Sequence, residues 1–351
     1  MISPPTLQPG YQCHPCHFLA ENLFVAVAPW ANGLITVGVQ KPPAQAIAMT
    51  SADGKHWDAV PGLQGADGTS ANAVVSLGHR TVVVGSEHSG STAWLFDGSS
   101  WQQAPEQAAL EVPYVAGAMT SVTTFQGAFV AAGYADDPLH NAAAAAVWRS
   151  IDGLTWTRDS ADAFAGGRIH AMAARGDTIV AVDTNGDPIY GPAGAWRWTQ
   201  ASGWQRATID PNAGGAMDAV AYGPAGFVAV GKNATDLGAS VWTSADGLTW
   251  TAVPDQLALH YYQLATRMQS IVAMPTGGFL VGGWRSDVGK GSSLIWTSAD
   301  GVTWSDPTWE TSFSGGEVDG VGIVGDNAVA VGRTGYPDWN QATAWFRPLP
   351  L

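Results

Sequence analysis

The heptapeptide Ser-x-Asp-Gly-x-Thr-Trp recurs along this 351-residue chain, and it constrains the fold more than any other feature. It stands at Ser150–Trp156, Ser244–Trp250 and Ser298–Trp304. A looser copy is Ser51-Ala52-Asp53-Gly54-Lys55-His56-Trp57, and a weaker one is Asp97-Gly98-Ser99-Ser100-Trp101. Such self-similarity must be read before any local propensity, because it dictates the architecture.

A second recurring element fixes the period. Segments of the type Phe227-Val228-Ala229-Val230-Gly231 return at residues 34–38, 81–85, 129–133, 179–183, 279–283 and 328–332. Each follows a short apolar strand, centred in turn on Val27, Val74, Val122, Met172, Val220, Ile271 and Val321. Successive anchors lie 47, 48, 50, 48, 51 and 50 residues apart. A unit of about 50 residues with four short strands is a propeller blade. The expected fold is therefore all-β: a single seven-bladed β-propeller domain over 1–351, built of four-stranded antiparallel blades. In the fifth copy the strands are expected near 217–222, 227–230, 240–243 and 249–253. No stretch of comparable length shows a helical apolar period, so helices should be few.

The tryptophans keep the same beat. Trp94, Trp148, Trp196, Trp242, Trp296 and Trp345 fall on the third strand of successive units. Trp57, Trp101, Trp156, Trp204, Trp250 and Trp304 fall at the start of the fourth. Full burial of each would contribute roughly 4–6 kcal/mol as an upper bound. These twelve of the 17 tryptophans read as packing between blades, which leaves Trp284 and Trp339 as candidates for stacking on a ligand.

The seventh unit stops after its third strand, Ala344-Trp345-Phe346-Arg347, and an unpaired edge is a liability. Tyr11 lies sixteen residues before Val27, and Pro15 follows it by four, as proline follows Trp57, Trp101 and Trp250. Residues 11–14 are therefore expected to close the last blade. The same segment holds the only two cysteines, in Cys13-His14-Pro15-Cys16-His17. This Cys-x-x-Cys-His pattern matches c-type haem attachment. A metal site at Cys13, Cys16 and His17, a disulfide and plain thiols are the alternatives.

Fifteen Lys and Arg face 29 Asp and Glu, for a net charge of −14. No basic stripe is available for nucleic acid or an anionic membrane surface, so both are disfavoured. The most apolar run, 23–39, is broken by Pro29, Asn32 and Gly33, and two strands explain it better than a membrane helix. No signal peptide begins at Met1. The chain is expected to be a monomer.

The candidate site comes from aligning the seven first strands. Two residues before each anchor stand Val25, Asn72, Thr120, His170, Asp218, Gln269 and Asp319, six of them polar. The position one earlier is mostly apolar. Two residues further back come Arg168, Arg267 and Glu317. Residues two apart share a strand face, so these groups should converge at the mouth of the central channel. One reading is a polar channel that holds water. The other is a ligand pocket. In it Asp218, Asp319 and Glu317 serve as acids and His170 as a base or ligand, with Arg168 and Arg267 clamping an anion and Asn72 and Gln269 lending hydrogen bonds. Arg333, Trp284 and Trp339 would contribute from the loops between second and third strands. A metal between His170 and the carboxylates has no ligand spacing behind it.

The heptapeptide resembles the Asp-box of sialidases, sortilin-type receptors and other BNR-repeat propellers, in the short form found in sialidase-like secreted bacterial proteins. The resemblance spans nearly the whole chain. It implies a propeller whose Asp152, Asp246 and Asp300 cap turns remote from the active face. It also implies an extracytoplasmic or secreted protein. Sialidases themselves have six blades and an Arg-Ile-Pro start, whereas Arg168-Ile169 is followed by His170. Two functions are therefore expected from this sequence. One is a binding or scaffold propeller recognising a glycan, a small molecule or a protein at the channel mouth. The other is a glycoside hydrolase with a carboxylate pair such as Asp218 and Asp319.

Overall fold

A computed structural model describes the chain except residues 1–11, 16–20, 32, 42, 61, 64–66, 89, 112–116, 138–141, 160–163, 165–166, 185–191, 211–213, 236, 261–263, 288–289, 308–314, 335–340 and 350–351. Residues 12–15, 21–22, 136–137, 142–143, 184, 287, 290 and 341 are described by their backbone alone.

Seven antiparallel sheets follow one another along the chain, each a propeller blade. Their inner strands are Glu21–Trp30, Thr69–Leu77, Ala118–Phe125, Ile169–Arg175, Gly215–Gly223, Thr266–Ala273 and Gly316–Val324. In blade five the inner strand pairs with Gly226–Asn233, that strand with Ala239–Ser244, and that with Thr249–Ala252. The short strand Thr208–Ile209 joins the outer edge of this blade in parallel. Among the described residues blade six has three strands, and its fourth position keeps one backbone bond, from Ser305 N–H to Thr297 O at 2.9 Å. Pro307 stands three residues after Trp304 here, one earlier than proline follows tryptophan in blades one, two and five, and its missing N–H stops the ladder. Among the described residues there is no α-helix.

The ring closes through the N-terminal segment. Gln12–Pro15 pairs antiparallel with Gln341–Pro348, setting Cys13 opposite Trp345. Tyr11, expected to begin this strand, lies outside the described residues.

The core is divided among the interfaces between blades. Seven apolar clusters each draw on two neighbouring blades. One joins Phe24, Leu34 and Met49 of blade one to Val329, Val331 and Ala344 of blade seven. The six third-strand tryptophans are all buried in these seams. The period-two alternation thus puts both faces of every blade against apolar neighbours.

The recurring heptapeptide forms one turn, made the same way in blades one, three and five, and in blade six with the same serine and aspartate bonds but no partner for Trp304 Nε1 among the described residues. In blade five Asp246 Oδ1 accepts the N–H groups of Leu248 and Thr249 at 2.8 and 2.9 Å. Ser244 Oγ accepts the Gly247 N–H at 2.9 Å, and Trp250 Nε1 donates to Gly247 O at 3.2 Å. Gly247 has φ +74, and a Cβ there would lie 2.4 Å from Val180 of blade four. The turn therefore seats its glycine on the preceding blade, and only a residue without a side chain fits both the angle and the space.

Candidate functional site

In every blade the ladder between inner and second strand skips one residue of the inner strand. The skipped residues are Val25, Asn72, Thr120, His170, Asp218, Gln269 and Asp319. They are the polar positions of the sequence alignment. A β-bulge leaves its extra residue out of the pairing and re-aims its side chain. Seven bulges in register deliver seven side chains to one end of the channel. The heptapeptide turns join third to fourth strands and so lie at the other end.

The second strand carries the counterpart of each bulge. Gly38, Gly85, Gly133, Gly231, Gly283 and Gly332 sit where a Cβ would come within 1.8–2.1 Å of an inner-strand carbonyl oxygen. Blade four alone has Asp183 at this position, paired with Ile169. Its side chain takes the room beside Gly167, and the inner strand of blade four begins only at Ile169.

Six of the bulge residues line a cavity of about 300 Å³: Val25, Thr120, His170, Asp218, Gln269 and Asp319, joined by Arg267. Asp218 is the best-held group in it. Arg267 Nε donates to Asp218 Oδ2 at 2.6 Å, and Nη2 donates to Oδ1. His170 Nδ1 lies 3.4 Å from Oδ1 on the other side. Burial alone would raise the Asp218 carboxyl, but these hydrogen bonds and charges outweigh it and hold the group below the ordinary carboxylate value.

Asp319 is the opposite case. Burial, then the charge of Glu317, push its carboxyl well above the ordinary value. Arg333 offsets this only in part, because its Nε and Nη2 donate to Glu317 Oε2 at 3.0 and 2.6 Å and its Nε stands 3.8 Å from Asp319 Oδ2.

The remaining candidates take other places. Asn72 sits on the ring but turns its Nδ2 to Met119 O at 3.0 Å, away from the cavity wall. Glu317 and Arg333 stand behind Asp319. Arg168 leaves the ring, with its guanidinium 4.3 Å over the Tyr134 ring, and is not part of the cavity lining. The equal spacing of Arg168 and His170 suggested a shared face, but the bulge at His170 breaks the alternation and Asp183 displaces the strand start. Trp284 is half-buried on the second strand of blade six, opposite Arg267. Trp339, Cys16 and His17 lie outside the described residues, and Cys13 is described by its backbone alone. Among the described residues no three His, Cys, Asp or Glu side chains gather closely enough to hold a metal ion. No helix there is long and apolar enough to cross a membrane.

Two features escaped the sequence reading. Asp183 is fully buried, and its oxygens make no hydrogen bond of good geometry among the described residues. Burial raises it to about 7, and the Arg206 charge and the Arg168 N–H offset this only partly. The signal was present as the one non-glycine among seven aligned positions. The second feature is a glutamine clamp. Gln107 accepts the Trp156 N–H at 2.8 Å and donates to Leu154 O at 2.9 Å. Gln256 does the same to Trp304 and Val302, at 3.1 and 2.7 Å. Both stand in Pro-x-Gln-x-Ala-Leu-like segments, Pro105–Leu110 and Pro254–Leu259.

No protein-family profile matches the chain, and no curated protein matches it. Solved structures do. A structure of YCF48 bound to D1 peptide superposes with a TM-score of 0.62 at 13% identity, covering 100% of this chain and 99% of the other. An uncomplexed acylaminoacyl peptidase of Pyrococcus horikoshii gives a TM-score of 0.54 at 10% identity, covering 94% of this chain and 52% of the other. This chain thus spans about half the length of the peptidase. At these identities the likeness is one of fold alone. Strand order, ring closure and the match over the full length of YCF48 agree that the chain is a seven-bladed β-propeller.

Proposed function

We propose that this chain is a binding propeller that takes an extended segment of a protein partner at the channel mouth. One observation carries the reading: six of the seven blades converge on a single polar cavity of about 300 Å³. A site assembled from so many rigid strands is pre-organised, which lowers the ordering cost of binding. Its best-formed ion pair, Asp218 with Arg267, is satisfied internally, which suits recognition more than turnover. The similar fold of YCF48, solved with a peptide bound, is in keeping with this use. The heptapeptide turns favour membership of the Asp-box superfamily, and with it a place outside the cytoplasm.

A second reading rests on a different observation. The Asp218 carboxyl is held below its ordinary value by its hydrogen bonds, and the Asp319 carboxyl is pushed well above it by burial, in the same cavity. Environments that push two carboxyl groups apart mark a base and an acid, as glycoside hydrolysis needs. Against it, the bidentate Arg267 leaves Asp218 little freedom as a nucleophile. One experiment separates the two. A peptide array and a panel of aryl glycosides are offered to the wild type and to Val25→Trp, which fills the cavity. Peptide capture lost in Val25→Trp, with no glycoside turned over, supports binding. Turnover lost in Asp218→Asn and Asp319→Asn supports hydrolysis. Peptide capture that Val25→Trp leaves intact sinks the proposed site.

A further inference from the structure

The seven bulge residues do not treat one another alike. Going round the ring, Asn72 donates to Met119 O of blade three. Thr120 donates through Oγ1 to Ile169 O of blade four at 2.6 Å. His170 leans on Asp218 of blade five, and Arg267 of blade six closes on the same carboxylate. From blade two to Asp218 each polar group is thus engaged with the next blade. The circuit then breaks. Gln269 Oε1 is buried with no hydrogen-bond partner among the described residues. Asp319 has Arg333 at 3.8 Å, and that guanidinium donates to Glu317. Val25 has nothing to donate or accept. These three residues belong to blades six, seven and one, and they form one continuous arc of the cavity wall.

The arc has a definite chemical sense. Its two polar members carry oxygen acceptors: the Asp319 carboxyl, and Gln269 Oε1, which the free protein closes to solvent and which a turn of the amide would bring to the cavity. Of the three carboxyl groups at the mouth, Asp218 and Glu317 each accept two bonds from an arginine, whereas Asp319 stands 3.8 Å from Arg333. Beside them Val25 offers an apolar surface. A compact cation with several N–H donors on an aliphatic stem answers each feature. Its ammonium reaches both oxygens, and its methylenes lie on Val25. The net charge of −14 draws such a group in.

We propose that the channel mouth recognises a primary alkylammonium, supplied by a lysine side chain of the bound segment and held between Gln269 and Asp319. The inference rests on the binding reading above and names the group that is read. Binding carries a proton balance. Burial and Glu317 push the Asp319 carboxyl well above its ordinary value and so favour its protonated form in the free protein. An arriving ammonium favours the carboxylate, so that proton leaves to solvent while the ammonium keeps its own three. The charged groups about Asp319 are Glu317 and Arg333 on its own blade. The bulge residues on either side, Gln269 and Val25, do not titrate.

The test is calorimetry on the full chain near pH 7.5 with n-butylammonium, butyrate and butyramide. Three matched peptides follow: one with a single lysine and an acetylated N-terminus, the same with Nε-acetyl-lysine, and a lysine-free one with a free N-terminus. Butylammonium and the lysine peptide should bind at least about tenfold tighter than their neutral or anionic counterparts. Asp319→Asn and Gln269→Leu should each lose about tenfold for the ammonium. Wild-type heats should differ between phosphate and Tris buffers in the sense of proton release, and Asp319→Asn should abolish the difference. Near-ultraviolet circular dichroism of the tryptophans reports whether each variant is folded, and should one fail, the other carries the test. Butyrate or butyramide binding as well as butylammonium, or affinity unchanged in the folded variants, overturns the proposal. A free N-terminus binding in place of lysine transfers the same chemistry to a chain terminus and overturns the lysine assignment. Peptides blocked by Val25→Trp that ignore lysine acetylation refute the ammonium and keep the peptide site. Butylammonium bound with every peptide refused does the reverse.

Discussion

Asp183 shows how much one substitution within a repeat can hold. Six blades have glycine at its position because the bulge brings a carbonyl oxygen to within 1.8–2.1 Å of any Cβ. Blade four has a carboxyl group that is wholly buried and raised to about 7. The sign of its linkage follows. Between the unfolded value near 4 and the folded value near 7, the native state binds a proton that the unfolded state does not, so stability falls as pH rises through that window and is level above it. The span amounts to ~3–4 kcal/mol at most. Asp183→Asn removes the titration and keeps the shape. Melting temperatures at pH 5 and pH 8 are expected to differ by several degrees less in this variant than in the wild type. Equal differences would mean that the carboxyl is not held neutral by the fold. Sequence alone set Asp183 at the end of a recurring strand as the one departure from glycine, without showing what that departure costs. The penalty against a side chain there arises from the bulge, and the bulge is visible only once strands are paired.

At the scale of the element, the repeated turn acts as a fastener between blades as well as a connection within one. Gly54, Gly153, Gly247 and Gly301 rest against Val329, Val82, Val180 and Val228 of the preceding blade. In two blades a glutamine from that preceding blade also bonds the backbone on either side of the turn. Gly247→Ala meets both costs at once, a positive φ and a contact at 2.4 Å. It should destabilise by ~2–4 kcal/mol, read from chemical denaturation, while Leu248→Ala on the partly exposed side of the turn should cost under ~1 kcal/mol. A small loss in Gly247→Ala would show that the turn floats free of its neighbour. The heptapeptide was legible because a turn's chemistry is local: Asp246 bonds N–H groups two and three residues on. The glutamine clamp was not, because Gln107 and Trp156 are 49 residues apart and meet only across a seam. The fourth strand of blade six was expected and is not formed among the described residues, for a reason that was in plain sight, a proline one residue too early.

At the scale of the whole molecule, period and closure govern what the site can be. A ring that repeats its inner strand seven times repeats its bulge seven times. That is why an alignment by anchors alone found the residues now lining the cavity. It did not find which of them engage one another, since Asp218 to Arg267 is a contact between blades that no spacing encodes. The ring depends on one discontinuous step, the pairing of Gln12–Pro15 with Gln341–Pro348. Without it the third strand of blade seven offers a free edge, and nothing covalent holds blade seven to blade one. Their shared core, with Phe24 and Val331 fully buried, would still favour contact. A chain beginning at residue 18 is therefore expected to fold its middle blades, melt at a lower temperature, and associate through the exposed edge in size-exclusion chromatography as concentration rises. The loss should reach the cavity as well, because Val25 and Asp319 face each other across that seam: butylammonium affinity should fall even though neither residue has changed. A truncated chain that stays monomeric, melts with the full one and binds alike would show that the apolar seam alone closes the wheel, and that the N-terminal strand is an ornament on an already complete ring.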